Sequence, residues 1–133
     1  MKQTRWALVF GRMLAFFFAF VLAGGALAEA GRVRILVQSS PLAGSQYHEY
    51  AALKSTLRVG DSLRLRREPE NPHDALAVRV EWQGHLLGYV PRRENRAVAA
   101  ALDRGDPLHA RISRVTEDPD PWKRLEFEIW MEL

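Results

Sequence analysis

The C-terminal half of the chain consists of short runs in which apolar and polar residues alternate. The clearest is residues 125–132, LEFEIWME, where every second residue from Leu125 to Met131 is apolar. A period of two places successive side chains on opposite faces of a strand, so one face of this segment packs on a core. A chain dominated by such segments folds into an antiparallel sheet, because each strand has one buried and one solvated face.

Five more segments carry strand patterns, and two carry helical spacing. The strand segments are residues 32–37, 62–66, 78–82, 85–90 and 108–112, and the helical segments are residues 47–53 and 94–102. The loops within residues 62–90 are short, which predicts a three-strand meander. The sequence therefore predicts a mostly β fold: a small, twisted antiparallel sheet or barrel of about six strands, with one or two short helices.

The same alternation predicts which side chains face the core. They are Leu63, Leu65, Val78, Val80, Trp82 and Tyr89. Arg79 and Glu81 fall on the opposite, solvent-facing side of their strand. Trp130 is out of phase with the apolar residues around it. It therefore either covers the other side of the sheet or forms an exposed aromatic platform.

The first 28 residues have the order of a secretory signal peptide. Lys2, Arg5 and Arg12 precede a charge-free apolar run, residues 13–28, that ends in Ala-Leu-Ala. The run is shorter than the ~20 residues that a membrane-spanning helix needs. We predict a signal peptide at residues 1–28, a domain at residues 29–133, and an exported product that is periplasmic or secreted, with no stable membrane span after cleavage. The alternative is an uncleaved membrane anchor.

Charge and cysteine content limit what the exported part can be. The whole chain has 19 Lys and Arg residues and 16 Asp and Glu residues. Three of the basic residues and none of the acidic ones lie in residues 1–28, so residues 29–133 carry 16 of each sign. A neutral domain lacks the basic surface of a general nucleic-acid binder. The chain has no cysteine, so its fold depends on an apolar core without disulfides.

No motif in the sequence indicates catalysis. There is no G-x-x-x-x-G-K-[ST] phosphate loop, so no ATP binding is expected. The histidines at 48, 73, 85 and 109 have no ligand spacing, so neither a metal nor another cofactor is predicted. No serine elbow and no paired carboxylates with a basic partner are present. The sequence predicts a protein that is not an enzyme.

A polar turn at residues 71–74 raises the possibility of a binding site. Residues 67–80, REPENPHDALAVRV, predict the end of a strand, a sharp turn and a second strand. Pro72 fits the second position of a type I turn, and Asn71 and Asp74 can accept hydrogen bonds from nearby backbone amides. On local chemistry alone, the turn either reverses the chain or holds a ligand.

Several segments together resemble the HIRAN domain. The resemblance spans residues 32–132 and is sharpest in residues 67–91. It rests on Arg67-Glu68-Pro69, Asn71-Pro72-His73-Asp74, Ala77-Val78-Arg79-Val80, Gly84, the segment Leu87 to Arg92, Asn95 with Ala97, and the upstream segment Ala43 to Tyr47. The resemblance implies a small barrel that binds single-stranded DNA at a free 3′ end and does not hydrolyse ATP.

The resemblance also implies roles for six residues. Asp74 would accept a hydrogen bond from the 3′-hydroxyl, and Asn71 would shape the pocket or contact the sugar. Tyr47 would stack on a base, an interaction worth ~1–3 kcal/mol per base.

Arg92 would contact a phosphate, and Trp122 would cover a second base. His73 stands where the family often has an aromatic residue, and an imidazole stacks with less area than a larger ring.

Two functions follow from the sequence. The first is a single-stranded DNA-binding module, and the second is an exported interaction domain that reuses the HIRAN scaffold for an envelope protein partner. Geometry separates them. The first predicts one open groove formed by Tyr47, Asn71, His73, Asp74 and Arg92. The second predicts that Asp74 is buried in its own turn and that Tyr47 lies in the core.

Overall fold

A six-stranded antiparallel sheet forms the body of the domain. The computed structural model describes residues 32–133, so the predicted signal peptide lies outside the described residues. The strands are β1 (Arg34–Pro41), β2 (Ser62–Arg67), β3 (Val78–Trp82), β4 (His85–Tyr89), β5 (Leu108–Val115) and β6 (Leu125–Glu132). They are ordered β1-β6-β5-β2-β3-β4 across the sheet, and every neighbouring pair is antiparallel. The predicted mostly β fold and the meander from β2 to β4 are confirmed.

Two short α-helices occur within the described residues. Helix α1 spans Tyr50–Leu53, and helix α2 spans Arg96–Asp103. Short 3₁₀ turns occupy Ser45–Tyr47, Arg92–Glu94 and Pro121–Lys123. Helix α2 ends before Gly105, whose φ of 79° is the left-handed conformation that glycine adopts without strain. Both helices fall in the segments whose spacing predicts them.

The segment after β1 brings the two edges of the sheet together. Leu42 donates its backbone N–H to the carbonyl of Leu125 on β6 at 2.9 Å. Ala43 exchanges two backbone hydrogen bonds, each of 2.9 Å, with Tyr89 on β4. The open sheet is thus brought close to a barrel, and this segment pairs with the outer edge of β4.

Gly88 makes this close approach possible. A Cβ atom at Gly88 would collide with the carbonyl oxygen of Ala43 and would lie 2.9 Å from Leu42 Cδ1. Only hydrogen fits in that position, which explains why a glycine interrupts an otherwise apolar strand.

The core lies between the inner face of the sheet and the helices. Its largest fully buried side chains are Tyr50, Phe127, Leu42, Leu87, Ile112, Leu125 and Ile129. Of the residues predicted to face inward, Leu63, Val78 and Val80 are buried, and Leu65 and Trp82 pack against the core. Every described member of this cluster lies between Leu42 and Ile129, so a protein of residues 29–133 contains the whole cluster.

Glu81 is buried, and its predicted solvent-facing position is wrong. Its side chain is 5% exposed, and its carboxylate lies 3.2 Å from Arg79 Nη2 and 3.9 Å from Arg66 Nη1. The register between β3 and β4 shifts between Val80 and Glu81, so the alternation predicted for β3 breaks there. The two arginines offset the cost of removing the carboxylate from water.

Strand β1 is longer than the sequence predicts. The pattern ends the strand at Val37 because Pro41 and Gly44 follow, but the strand continues to Pro41. Since β1 pairs with β6 at the edge of the sheet, a proline at its end removes no hydrogen bond that the sheet requires.

Trp130 covers the outer side of the sheet, which was one of its two predicted positions. The guanidinium carbon of Arg111 lies 5.2 Å from the centre of its ring. Its indole Nε1 donates a 3.1 Å hydrogen bond to Glu128 Oε2. Both partners come from the outer faces of β5 and β6.

Candidate functional site

One open groove contains five of the six residues to which the sequence assigns a binding role. Its volume is about 570 Å³, within the ~300–1,000 Å³ of typical small-ligand sites. The lining residues come from the first 3₁₀ turn, the β2–β3 turn and the end of β4. They are Tyr47, His48, Asn71, His73, Asp74, Ala77, Tyr89, Val90 and Arg92. Trp122 lies in the 3₁₀ turn between β5 and β6 and does not line the groove.

Tyr47 presents its ring to solvent at the groove. The side chain is 79% exposed, so it is not part of the core. Gly44, with a φ of 72°, turns the chain out of β1, and its carbonyl accepts the N–H of Tyr47 at 3.0 Å. An exposed ring beside a groove is the arrangement that stacking on a nucleic-acid base requires.

Asn71 organises the turn between β2 and β3. Its Oδ1 accepts the backbone N–H groups of His73 at 2.9 Å and of Asp74 at 3.2 Å. Its Nδ2 donates to Glu68 Oε1 at 2.8 Å. The turn is therefore held by the asparagine side chain as the sequence chemistry predicts. The carboxamide has one further N–H beyond the one given to Glu68.

Asp74 is half-buried and is hydrogen-bonded through both carboxylate oxygens. Oδ1 accepts the N–H of Leu76 at 2.9 Å, and Oδ2 accepts Nδ2 of Asn95 at 2.8 Å. Asn95 is buried, and its side chain contacts Asp74 instead of capping α2. A carboxylate has about four acceptor positions, so Asp74 keeps capacity for a ligand hydroxyl. The residue thus serves the turn and can still bind.

Arg67 holds the end of the same loop that leads into β3. Its Nη1 and Nη2 donate to the carbonyls of Ala77 at 2.9 Å and Ala75 at 3.0 Å. Its Nε donates to Asp103 Oδ1 on α2 at 3.0 Å. The loop that carries the polar turn is therefore attached to the helix as well as to the strands.

Tyr89 and His48 form an aromatic pair in the groove that the sequence analysis does not assign to the site. Their ring centroids are 5.5 Å apart, and the rings are inclined by 57°. Tyr89, which the strand pattern places in the core, is half-buried and donates its hydroxyl to Glu68 Oε2 at 3.1 Å. Burial raises the pKa of Tyr89, and the hydrogen bond to Glu68 raises it further. The position of His48 next to Tyr47 is the one signal in the sequence that indicates its place.

Arg92 supplies a cation where β4 ends. It begins the 3₁₀ turn after Pro91 and is exposed. Within residues 32–133, no carboxylate lies at ion-pair distance from Arg92. Its guanidinium is therefore open to a phosphate, which it can bind with two parallel hydrogen bonds.

The described residues show neither a metal cluster nor a membrane-spanning helix. In residues 32–133, no three His, Cys, Asp or Glu side chains are grouped so that they could hold a metal ion. No helix in the same residues has the length and apolar character needed to cross a bilayer.

Comparison with known families decides what this scaffold is. The profile of the HIRAN domain matches residues 35–133. The chain belongs to the HIRAN domain family. Every residue that lines the groove falls inside the matched range, and family membership indicates a DNA-binding module.

Two solved structures resemble this HIRAN domain. A protein from Lactobacillus plantarum is 30% identical, with a TM-score of 0.65, and the match covers 77% of this chain and 98% of that one. The HIRAN domain of human HLTF is 18% identical, with a TM-score of 0.55, and the match covers 77% of this chain and 78% of that one. The second likeness concerns the fold alone.

A curated relative matches this chain over one segment of a much longer protein. The Fanconi-associated nuclease 1 homolog of Oryza sativa subsp. japonica is 31% identical over 84 residues, which are 60% of this chain. The match covers 8% of the rice protein. The similarity therefore extends to one small segment of that nuclease homolog.

Proposed function

We propose that this HIRAN domain binds single-stranded DNA at a free 3′ end and does not catalyse a reaction on it. The observation that carries the proposal is the convergence of Tyr47, Asn71, His73, Asp74 and Arg92 on one groove. Family membership supports DNA as the class of ligand. The groove offers aromatic rings, hydrogen-bond acceptors and a cation, which are the groups that a strand end requires.

Each groove residue has a task in this proposal. Tyr47 stacks on the terminal base, and Arg92 contacts the phosphate that precedes it. Asp74 accepts the hydrogen bond of the 3′-hydroxyl through its remaining acceptor capacity. A 3′-phosphate brings a like charge to Asp74, so the carboxylate selects the hydroxyl end.

The neutral net charge of residues 29–133 determines how much long-range electrostatic attraction can contribute to DNA affinity. Long-range attraction between the domain and DNA is weak, because the two signs of charge balance. Affinity then depends on contacts within the groove. We expect the logarithm of affinity to fall with the logarithm of salt concentration by about 0.7 for each phosphate contacted.

The test is fluorescence anisotropy of residues 29–133 with a short labelled single strand at moderate salt. A strand with a 3′-hydroxyl is compared with the same strand ending in a 3′-phosphate. We expect tighter binding of the hydroxyl end and loss of this preference in Asp74→Ala and Asp74→Asn. The asparagine variant keeps an acceptor for Leu76 while losing the charge and the acceptor for Asn95. Its urea midpoint is therefore measured alongside its affinity.

Absence of binding, or equal weak binding of both ends, would overturn the proposal. The non-catalytic part is tested in the same mixtures with Mg²⁺ added. The strand should remain intact on a denaturing gel. Cleavage that requires the protein would show an enzyme instead.

Export is also part of the proposal, because residues 1–28 have the order of a signal peptide. DNA outside the cytoplasm is the source of ligand that fits both export and DNA binding. Mass spectrometry of the product from whole cells should find a chain that begins after Ala28 or Ala30. An intact N-terminus in a cytoplasmic fraction would contradict export while leaving DNA binding untouched.

A second candidate function is favoured by the edge strand β1. Ile35, Leu36 and Val37 are 50%, 46% and 38% exposed. An edge strand with exposed apolar side chains can pair with an extended strand of another protein. A photo-crosslinker at Leu36 should then join one envelope protein specifically, and the same group at Trp122 should not. Single-stranded DNA should not compete with that product.

A further inference from the structure

We propose that Glu68 is a positioning residue that fixes the two walls of the groove relative to each other. The inference deepens the proposed function and rests on it wherever DNA binding is the readout. Glu68 does not line the groove itself. It contacts one residue from each wall, Asn71 and Tyr89.

The carboxylate of Glu68 receives hydrogen bonds from three side chains. Asn71 Nδ2 donates to Oε1 at 2.8 Å, from the wall formed by the β2–β3 turn. The Tyr89 hydroxyl donates from the wall formed by β4, at 3.1 Å to Oε2 and 3.3 Å to Oε1. Arg79 Nη1 approaches Oε2 at 3.5 Å. One carboxylate therefore joins the turn to the strand opposite it.

The backbone of Glu68 is fixed as well. Its N–H donates to the carbonyl of Ala77 at 3.0 Å, and its own carbonyl accepts the N–H of Asn71 at 3.1 Å. The side chain is 28% exposed, so water competes only partly for its oxygens. These bonds place the carboxylate at a defined point between the walls.

The chemistry of the three partners explains why a carboxylate is needed. A phenol, a carboxamide N–H and a guanidinium all donate, and a carboxylate is the side chain that accepts without donating. A glutamine at position 68 offers one oxygen to these donors and directs an NH₂ group at the others. We therefore expect Glu68→Gln to keep part of the arrangement and Glu68→Ala to keep none of it.

The sign of the effect separates positioning from simple electrostatics. Removing a negative charge near a site for DNA phosphates should strengthen binding. Loss of positioning should weaken it. Glu70 is the matched control, because it lies in the same loop, is exposed, and has no hydrogen bond or ion pair in the described part of the chain. Glu70→Ala removes the same charge but no side-chain hydrogen bond to a residue of either wall.

DNA binding provides the first test, again by anisotropy with hydroxyl and phosphate ends. In Glu68→Ala we expect affinity for the hydroxyl end to fall by about tenfold and the preference over the phosphate end to approach one. Glu68→Gln should lose less, and Glu70→Ala should bind as tightly as the native chain or more tightly. Unchanged or tighter binding by Glu68→Ala, with the preference intact, would overturn the inference.

A second test needs no ligand and so distinguishes failure of this inference from failure of the proposed function. The amides of His73 and Asp74 are bonded to Asn71 Oδ1, and Asn71 is held by Glu68. Amide hydrogen exchange at these two positions should be faster in Glu68→Ala than in Glu70→Ala, while exchange in β5 and β6 is the same in both. If the native chain binds no DNA, this exchange still tests whether Glu68 positions the turn. Equal exchange at His73 and Asp74 in the two variants would overturn the role of Glu68.

Discussion

Asn95 Nδ2 donates a 2.8 Å hydrogen bond to Asp74 Oδ2, so the residue before helix α2 holds the turn between β2 and β3. The two residues are far apart in the sequence, and Asn95 is 2% exposed. The position of the acid therefore depends on the docking of α2 as well as on the turn itself. Changes in the helix should be detected at the groove.

Asn95→Ala should destabilise the domain and weaken the 3′-hydroxyl preference together. Removing a buried partner of a charged group costs about 1–3 kcal/mol in the free energy of unfolding. Urea denaturation measures this cost, and Arg96→Ala, an exposed neighbour, is the control. Since the Asn95 side chain does not cap α2, helix content should stay the same. A change below about 0.5 kcal/mol would mean that this hydrogen bond contributes little.

Gly88→Ala should destabilise the domain by about 1–3 kcal/mol, because an added methyl group overpacks the contact with Ala43 and Leu42. Gly84→Ala is the comparison. There an added Cβ has no neighbour within 4 Å, and the cost is limited to the strain of its positive φ. Thermal and urea unfolding should show the larger loss at Gly88. Equal losses would indicate that the segment after β1 moves away from Gly88 at little cost.

Tyr47→Ala should weaken binding of the strand end by about 1–3 kcal/mol if the ring stacks on a base. Trp122→Ala removes another exposed aromatic side chain, one that does not line the groove. We expect its affinity for a short strand to match the native chain. A loss in Trp122→Ala as large as that in Tyr47→Ala would extend the interface beyond the groove.

The pKa of Tyr89 should fall in Glu68→Gln. Burial raises this pKa first, and the hydrogen bond and charge of Glu68 raise it further, while Arg79 lowers it. Because the folded pKa exceeds the unfolded value, the unfolded chain loses this proton first as pH rises above about 10, and stability falls over that range. Absorbance titration of tyrosinate, with Tyr89→Phe as the reference, measures the shift. An unchanged titration would show that Glu68 does not act on Tyr89.

Glu49 should contribute to stability at neutral pH and lose that contribution in acid. Its pKa lies below the ordinary value of 4.5, chiefly because of the hydrogen bond with His85 and also because of the backbone N–H of Leu86. A lowered folded pKa means that stability is present above the unfolded value and is lost as pH falls through the folded value. Urea midpoints from about pH 6 to pH 3 should fall less in Glu49→Gln than in the native chain.

The alternation of apolar residues predicted the presence of all six strands, though not the end of β1, because burial on one face is a local property of each segment. It failed at Glu81, where a register shift depends on how β4 pairs with β3 and leaves no local trace in β3. The alternation also placed Tyr89 in the core. A two-residue period gives the face on which a side chain lies, but not whether one end of its ring reaches a groove.

The grouping of the candidate residues in one groove was predictable only through resemblance. Tyr47, Asp74 and Arg92 lie in three separate segments, and no spacing rule joins them. They meet because the segment after β1 pairs with β4 and because α2 docks against the turn. Trp122, the sixth residue with a predicted role, does not line this groove, and its role stays a prediction.

The bridge between Ala43 and Tyr89 has a consequence for local unfolding. The segment that follows Ala43 carries Tyr47, and the segment that follows Tyr89 carries Arg92. Local opening that breaks the hydrogen bonds between Ala43 and Tyr89 would therefore separate Tyr47 from Arg92 while the core stays folded. A molecule bound in the groove would hold these two segments together. Slower hydrogen exchange of the Ala43 amide would then report its presence from outside the binding site.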